Sequence, residues 1–377
     1  MREYLLTKEN EMLLLLEKLV NIDSGSANKA GIDKVGGILK AEYEKLGFRV
    51  ETYKESERGN HLVIQHEDAA TPEIILLAHM DTVFRDGTAA VRPFTMKNGR
   101  AYGPGVIDMK ASQVALLYAL KALISIDSNG FRNVQIVLNS DEEIGSGTSR
   151  KLIETQAKGK RYALIMEPAR KNGALVSARR GGGRFSLFVK GKAAHSGIEP
   201  QNGISAIEEL AHKIVKLHAL TNHDEGISVS VGLIEGGESV NTIAPSAVAH
   251  VDVRISRKEQ ADILMQKIRE ICETADVPGT SIVLEGGMNR PPMVKNVQTI
   301  ELLNLIKDVG SSLGMEITDV STGGGSDASF TSAIGVPTVD GLGPVGGNAH
   351  SEDEYLEIPS LVERTNLLAK LIGKLSD

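Results

Sequence analysis

Residues 136–147 read IVLNSDEEIGSG. An apolar, β-branched run that begins at Val134 stops in three consecutive acids, Asp141, Glu142 and Glu143, and then turns through Ile-Gly-Ser-Gly. A strand that ends in carboxylates and turns through glycine presents those side chains at the carboxyl edge of a sheet, where ligands bind in open α/β folds. Three adjacent like charges repel, so a site that holds them close calls for a cation. A solvated acidic loop is the other reading of such a triplet.

The chain has 377 residues, beyond the size at which one core stops growing, so two domains are expected. Hydrophobic residues make up 41%, enough for real cores. The net charge of −7 argues against nucleic acid or an anionic membrane as a partner. A single cysteine, Cys272, excludes an internal disulfide and fits a reducing, cytoplasmic compartment. The leucine run near the N-terminus is bracketed by Glu11 and Glu17, too short and too charged for a signal peptide or membrane span.

Helical patterns at 8–20, 31–46, 110–126 and 148–158 alternate with strand patterns at 48–53, 61–65, 73–79, 134–138 and 162–166. That alternation predicts an α/β layered domain with parallel strands. From Arg179 the texture changes. A strand at 185–189, a helix at 202–220, strands at 227–234 and 247–255, a helix at 258–275 and a strand at 281–284 form the split pattern of a ferredoxin-like α+β unit. It reads as an insertion, because α/β texture resumes after Pro291-Pro292 with helices at 297–313 and 359–375 and a strand at 336–339. The expected division is 1–178 with 286–377 for one domain and 179–285 for the other.

Four strand ends or exit loops of the α/β part carry possible metal ligands, His79, Asp108, Glu143 and Glu167, and His350 adds a fifth. Singly, each has an ordinary use: a satisfied histidine, a helix cap, a turn residue. Gathered at one sheet edge, two histidines and three carboxylates suit zinc or another borderline divalent ion. The count also suits two ions that share one carboxylate. Glu142 is then left beside a ligand, where a general base for hydrolysis is expected. Asp81, two residues after His79, is placed to accept that ligand's ring N–H.

His79-Met80-Asp81, Gly103-Pro104-Gly105-Val106-Ile107-Asp108-Met109-Lys110, Asp141-Glu142-Glu143-Ile144-Gly145-Ser146, Met166-Glu167-Pro168 and His350-Ser351 together resemble the M20 family of dinuclear zinc peptidases and deacylases. The resemblance implies a three-layer catalytic domain of the zinc-peptidase type with an inserted lid and dimerisation domain. It implies His79 and Glu167 on one zinc, Glu143 and His350 on the other, and Asp108 shared, with Co2+ or Mn2+ as alternative ions. Glu142 becomes the base that activates the water between the ions and later protonates the leaving amine. A cis peptide bond is implied at Asp108-Met109.

The loop Gly191-Lys192-Ala193-Ala194-His195-Ser196-Gly197 is similar to the family's histidine loop, which implies that His195 reaches the oxyanion of a homodimer partner's substrate. Asn241, after Gly236-Gly237, and Arg254 match further family positions in this domain. Thr322-Gly323-Gly324-Gly325-Ser326-Asp327 has no phosphate-binding lysine, and the resemblance makes it the glycine loop of the substrate cleft, with Gly324 at its centre. Arg290 is the candidate clamp for a substrate carboxylate, because a guanidinium matches it two-pronged. Within the family Ser239-Val240-Asn241-Thr242-Ile243-Ala244-Pro245, Asn289-Arg290-Pro291, the glycine loop through Ala328 and Glu167 look most like glutamate carboxypeptidases of the carboxypeptidase G2 type. The expected substrate is a peptide or an N-acyl amino acid. The alternatives are an N-acyl-amino-acid deacylase or desuccinylase, and a catalytically silent dimeric scaffold.

Overall fold

The computed structural model describes residues 1–377, which separate into two compact units. The first comprises Met1–Ala178, Lys295–Thr322 and Ser326–Asp377; the second comprises Arg179–Val294 and Gly323–Gly325.

The first unit is built on a six-stranded sheet. Its strands are β1 (Phe48–Tyr53), β2 (His61–His66), β3 (Ile74–His79), β4 (Val134–Asn139), β5 (Tyr162–Ile165) and the short Thr338–Val339, in the order β1-β2-β4-β3-β5-(338–339). Every residue of β3 and β4 is buried, so both faces of the sheet are covered and the unit has three layers. The helices α1 (Arg2–Val20), α2 (Lys29–Glu44) and α3 (Ala111–Ile124), with Val297–Ser312 and Ile358–Ser376, share one core with these strands. Apolar nearly all round, α3 is buried nearly all round.

The sheet is mixed, not wholly parallel. β3 pairs in parallel with β4 and β5, whereas β2 runs antiparallel to both β1 and β4. A buried strand reads the same in either direction, so its apolar run does not fix its sense. The parallel trio still puts three strand exits at one edge: His79 ends β3, Asp141 to Glu143 follow β4, and Glu167 follows β5.

The second unit holds β6 (Gly181–Lys190), α4 (Ala206–His218), β7 (Ser228–Gly236), β8 (Ser246–Ile255), α5 (Gln260–Glu273) and β9 (Ser281–Arg290). The sheet order is β7-β8-β6-β9, antiparallel throughout, as the strand-helix-strand-strand-helix-strand pattern predicts. Phe185, Leu187 and Val189 of β6 join Ala247, Ala249, Val251, Val253 and Ile255 of β8 in a core with both helices. Two boundaries differ from the sequence pattern. β9 runs on to Arg290 although its apolar alternation ends at Leu284, because the ladder to β6 continues through glycines on both strands. α4 starts at Ala206, where the Ser205 hydroxyl accepts from the Glu208 amide at 3.1 Å and caps the first turn.

Candidate metal centre

His79 leaves the buried end of β3 with only 2% of its side chain exposed. Its Nε2 lies 3.1 Å from Oδ1 of Asp108 and 3.9 Å from Oε1 of Glu167. His350 approaches from the C-terminal loop, with Nε2 3.3 Å from Oδ2 of Asp108 and 3.2 Å from Oε2 of Glu143. The Asp108 carboxylate therefore stands between two imidazoles, one oxygen turned to each. The ligand atoms of His79, Glu142 and Glu167 lie within 4.8 Å of one another, and so do those of His79, Asp108 and Glu143. All five residues expected to hold metal, and Glu142, converge here. The Asp108-Met109 peptide bond is cis.

The electrostatics of the cluster suit a bound cation. Burial, reinforced by the charge of Asp108, pushes the Glu167 carboxyl well above its ordinary range, and burial also raises Glu143. The Glu143 Oε1 atom is buried with no hydrogen-bond partner. Hydrogen bonds to Asp108 and Glu143 lift His350 to about 10. Burial alone would depress His79, but its bonds to Asp108 and Asp81 outweigh that and raise it. The same two histidines hold Asp108 below the usual carboxylate range against the effect of burial. An unpartnered carboxylate oxygen and acids that must borrow protons fit divalent ions held by nitrogen and oxygen donors.

Asp81 differs in detail from expectation. The nearer partner of the His79 Nδ1 is the Asp81 backbone carbonyl at 2.9 Å, with the carboxylate Oδ1 at 3.4 Å. The carboxylate, wholly buried, instead accepts from the Ser26 hydroxyl at 2.6 Å and from the Glu142 and Glu143 amides at 3.1 and 3.2 Å. It orients the turn that carries the candidate base. Asp141, first of the acidic triplet, turns away from the cluster and accepts from the Thr148 amide at 2.7 Å and the Ser149 hydroxyl at 2.5 Å. Asp327 accepts from Asn139 at 2.7 Å and from the Ser146 hydroxyl, so it braces the exit of β4.

Two contributors escaped the sequence reading. Gln113, on α3, donates to the His79 carbonyl at 2.5 Å. Glu354 accepts three backbone amides of the loop that carries Asp108. Glu354 sits in the acidic run after His350, and nothing in that run singles it out.

The remaining candidates lie in the second unit. His195 is exposed, and its loop pairs with that of Asn241: the Ser196 amide donates to the Asn241 carbonyl at 2.9 Å. Arg254 is held by the Asp252 carboxylate through two bonds of 2.8 and 3.0 Å. Arg290, at the end of β9, lies along Gly325, where an added Cβ would fall 2.6 Å from the arginine Cδ. Arg179 donates to the Gly324 carbonyl at 3.0 Å, so Gly324 and its neighbour lie between two arginines.

A family model described as peptidase family M20/M25/M40 matches residues 75–374. Carboxypeptidase G2 of Pseudomonas sp. strain RS-16 is 30% identical over 95% of this chain and 87% of its own length. Succinyl-diaminopimelate desuccinylase of Acidovorax ebreus is 27% identical over 97% of this chain and 98% of its own. Among solved structures, aminopeptidase PepT of Bacillus cereus superposes with a TM-score of 0.81 at 20% identity, over 98% of this chain and 99% of that one.

Proposed function

Since the chain belongs to peptidase family M20/M25/M40 and is a hydrolase of that family, we propose that it is a two-zinc amidohydrolase that releases a C-terminal, glutamate-like residue from peptides or N-acyl conjugates. The observation that carries this reading is the Asp108 carboxylate, set with one oxygen toward each of two histidines.

His79 and Glu167 would hold one ion, Glu143 and His350 the other, and Asp108 would serve both; Co2+ and Mn2+ suit the same donors. When bound, the ions supply Lewis acidity to the scissile carbonyl and a lowered pKa to water. Glu142 takes the proton of the attacking water and passes it to the nitrogen of the leaving amine, so base and acid are one carboxyl. Asp81 fixes Glu142 through the amides of the turn. Arg290, along the glycine loop, holds the substrate carboxylate, with Gly324 and Asn241 as further contacts. Arg254 is the weaker candidate, since Asp252 already engages its guanidinium.

We assign catalysis to the first unit and the lid and dimerisation role to the second, which runs on past the expected boundary at 285 to Val294 because β9 continues its ladder to β6. A homodimer through the lid is supported by the edge strand β7, where Leu233 and Ile234 are 53% and 60% exposed, and by Val215 of α4 at 72%. In that dimer His195 of one copy stabilises the oxyanion at the other. Cytoplasmic residence is supported by the unpaired, buried Cys272. No helix is long and apolar enough to cross a membrane.

A second reading, deacylation of an N-acyl amino acid, draws on the likeness to the desuccinylase. The test is hydrolysis by zinc-loaded protein of a C-terminal glutamate peptide, an N-acetyl amino acid and N-succinyl-diaminopimelate, with metal content read on the same sample. Cleavage of the glutamate peptide with two zinc ions per chain is the expected result. Turnover of only an acylated amino acid moves the protein to the deacylase branch. No turnover of any of the three with both ions bound favours the silent scaffold.

A further inference from the structure

The loop 103–110 and the loop 348–354 reach the metal cluster from different parts of the chain, and one buried side chain joins them. Strand Tyr355–Glu357 pairs antiparallel with strand Arg100–Tyr102, so Glu354 lies beside the start of the loop that carries Asp108. The Glu354 side chain is wholly buried, and its Oε2 accepts from the Gly105 amide at 3.0 Å. Its Oε1 accepts from the Ile107 amide at 2.9 Å and the Asp108 amide at 3.0 Å. Three converging N–H groups make a nest for an anion. Gly105 takes a φ of +71° to turn its amide inward, and a Cβ there would fall 2.5 Å from Thr82 Cγ2. On the other side, the Glu354 amide donates to the Ser351 carbonyl at 3.3 Å, in the turn directly after His350.

We infer that Glu354 is a positioning residue which locks the Asp108 loop to the His350 loop, so that the shared carboxylate and the second histidine meet the two ions as one rigid set. The inference rests on the metal-centre reading above. A carboxylate is the only side chain of this length that accepts from all three amides. An amide in its place would set an NH2 group against at least one backbone N–H. Asp108 would then lose its fixed backbone while keeping its side chain, and because it serves both ions, both would feel the change.

The test is titration of metal-free protein with Zn2+ alone, by calorimetry and by competition with a chromogenic chelator, for wild type, Glu354→Gln and Glu354→Asp. Co2+ absorption spectra report the ligand geometry. For Glu354→Gln, both ions should bind more weakly, by roughly 10- to 100-fold, the usual cost of removing a group that orients a ligand. Protection of the Ile107 and Asp108 amides against exchange should fall with it. Glu354→Asp keeps the charge with a shorter reach; it should lose less, and it serves where the glutamine variant fails to fold. Glu209→Gln, in the other unit, is the control for general destabilisation and should bind both ions as wild type does.

Wild-type ion affinities and cobalt spectra in Glu354→Gln would overturn this inference and leave the metal-centre reading standing. Wild-type protein that takes up no ion would overturn both.

Discussion

Asp81→Asn tests how the candidate base is held. The Asp81 carboxylate accepts from Glu142 N and Ser26 Oγ on different oxygens, with Glu143 N sharing the oxygen that faces Ser26. Asparagine keeps the volume but offers one acceptor oxygen. With that oxygen toward Glu142, its NH2 meets Ser26, whose hydroxyl can rotate to accept, and the Glu143 N–H loses its partner. With the opposite orientation Glu142 loses its partner instead, while Ser26 and Glu143 share the two lone pairs of the amide oxygen. Either way one of the two turn amides is orphaned. An orphaned buried amide costs about 1–3 kcal/mol and the remaining bonds lose their charge assistance, so the turn should open about 3 kcal/mol more easily, roughly a 100-fold loss of exchange protection. Amide hydrogen exchange on metal-free protein reads this directly, with the loss confined to the turn at Glu142 and Glu143 and absent from β6 and β8 in the other unit. Unchanged protection at Glu142 and Glu143 would refute the argument, since those bonds would then contribute nothing.

Two predictions concern stability. Glu209 and Lys213 of α4 are both fully buried and 2.9 Å apart, and Glu209 also accepts from the Asp276 and Val277 amides. Lys213→Met leaves that carboxylate without its cation and should lower the stability of the second unit by about 3–5 kcal/mol in chemical denaturation, with little dependence on salt; a loss below 1 kcal/mol would contradict it. Burial would raise Asp319, but hydrogen bonds from Lys295, Ser177 and Lys307 reverse that and hold it below the usual carboxylate range. A depressed carboxylate adds stability above its unfolded pKa, and that stability is lost as pH falls toward the folded value. Metal-free wild type should therefore lose its margin over Asp319→Asn progressively below about pH 4, and parallel pH curves for the two would refute the assignment.

The strand ends that gather the candidate ligands were legible because each buried run breaks into a histidine or an acid, and those breaks stay visible whichever way the strand runs. Strand sense was not: β2, buried over its first four residues, runs antiparallel to both neighbours, since its direction follows from chain connection and not from composition. The second unit was read correctly in element order because its strands alternate and its helices are periodic. Its last strand was cut short at Leu284, where glycines replace the alternating residues while the ladder continues. Within the site, residue type pointed to who is present, but partner choice depends on contacts far apart in sequence. That is why Asp81 serves amides 61 and 62 positions away, why Arg254 is taken by Asp252, and why Glu354 went unnoticed among its acidic neighbours.

The central claim is that five residues hold two ions while Glu142 moves the proton. It is tested most directly by Glu142→Ala, with ions per chain and turnover measured on one zinc-loaded sample. Two ions with turnover reduced by at least about 100-fold is the predicted result. Turnover near that of wild type, or the loss of an ion together with the carboxyl, would contradict it, because Glu142 would then be dispensable or itself a ligand.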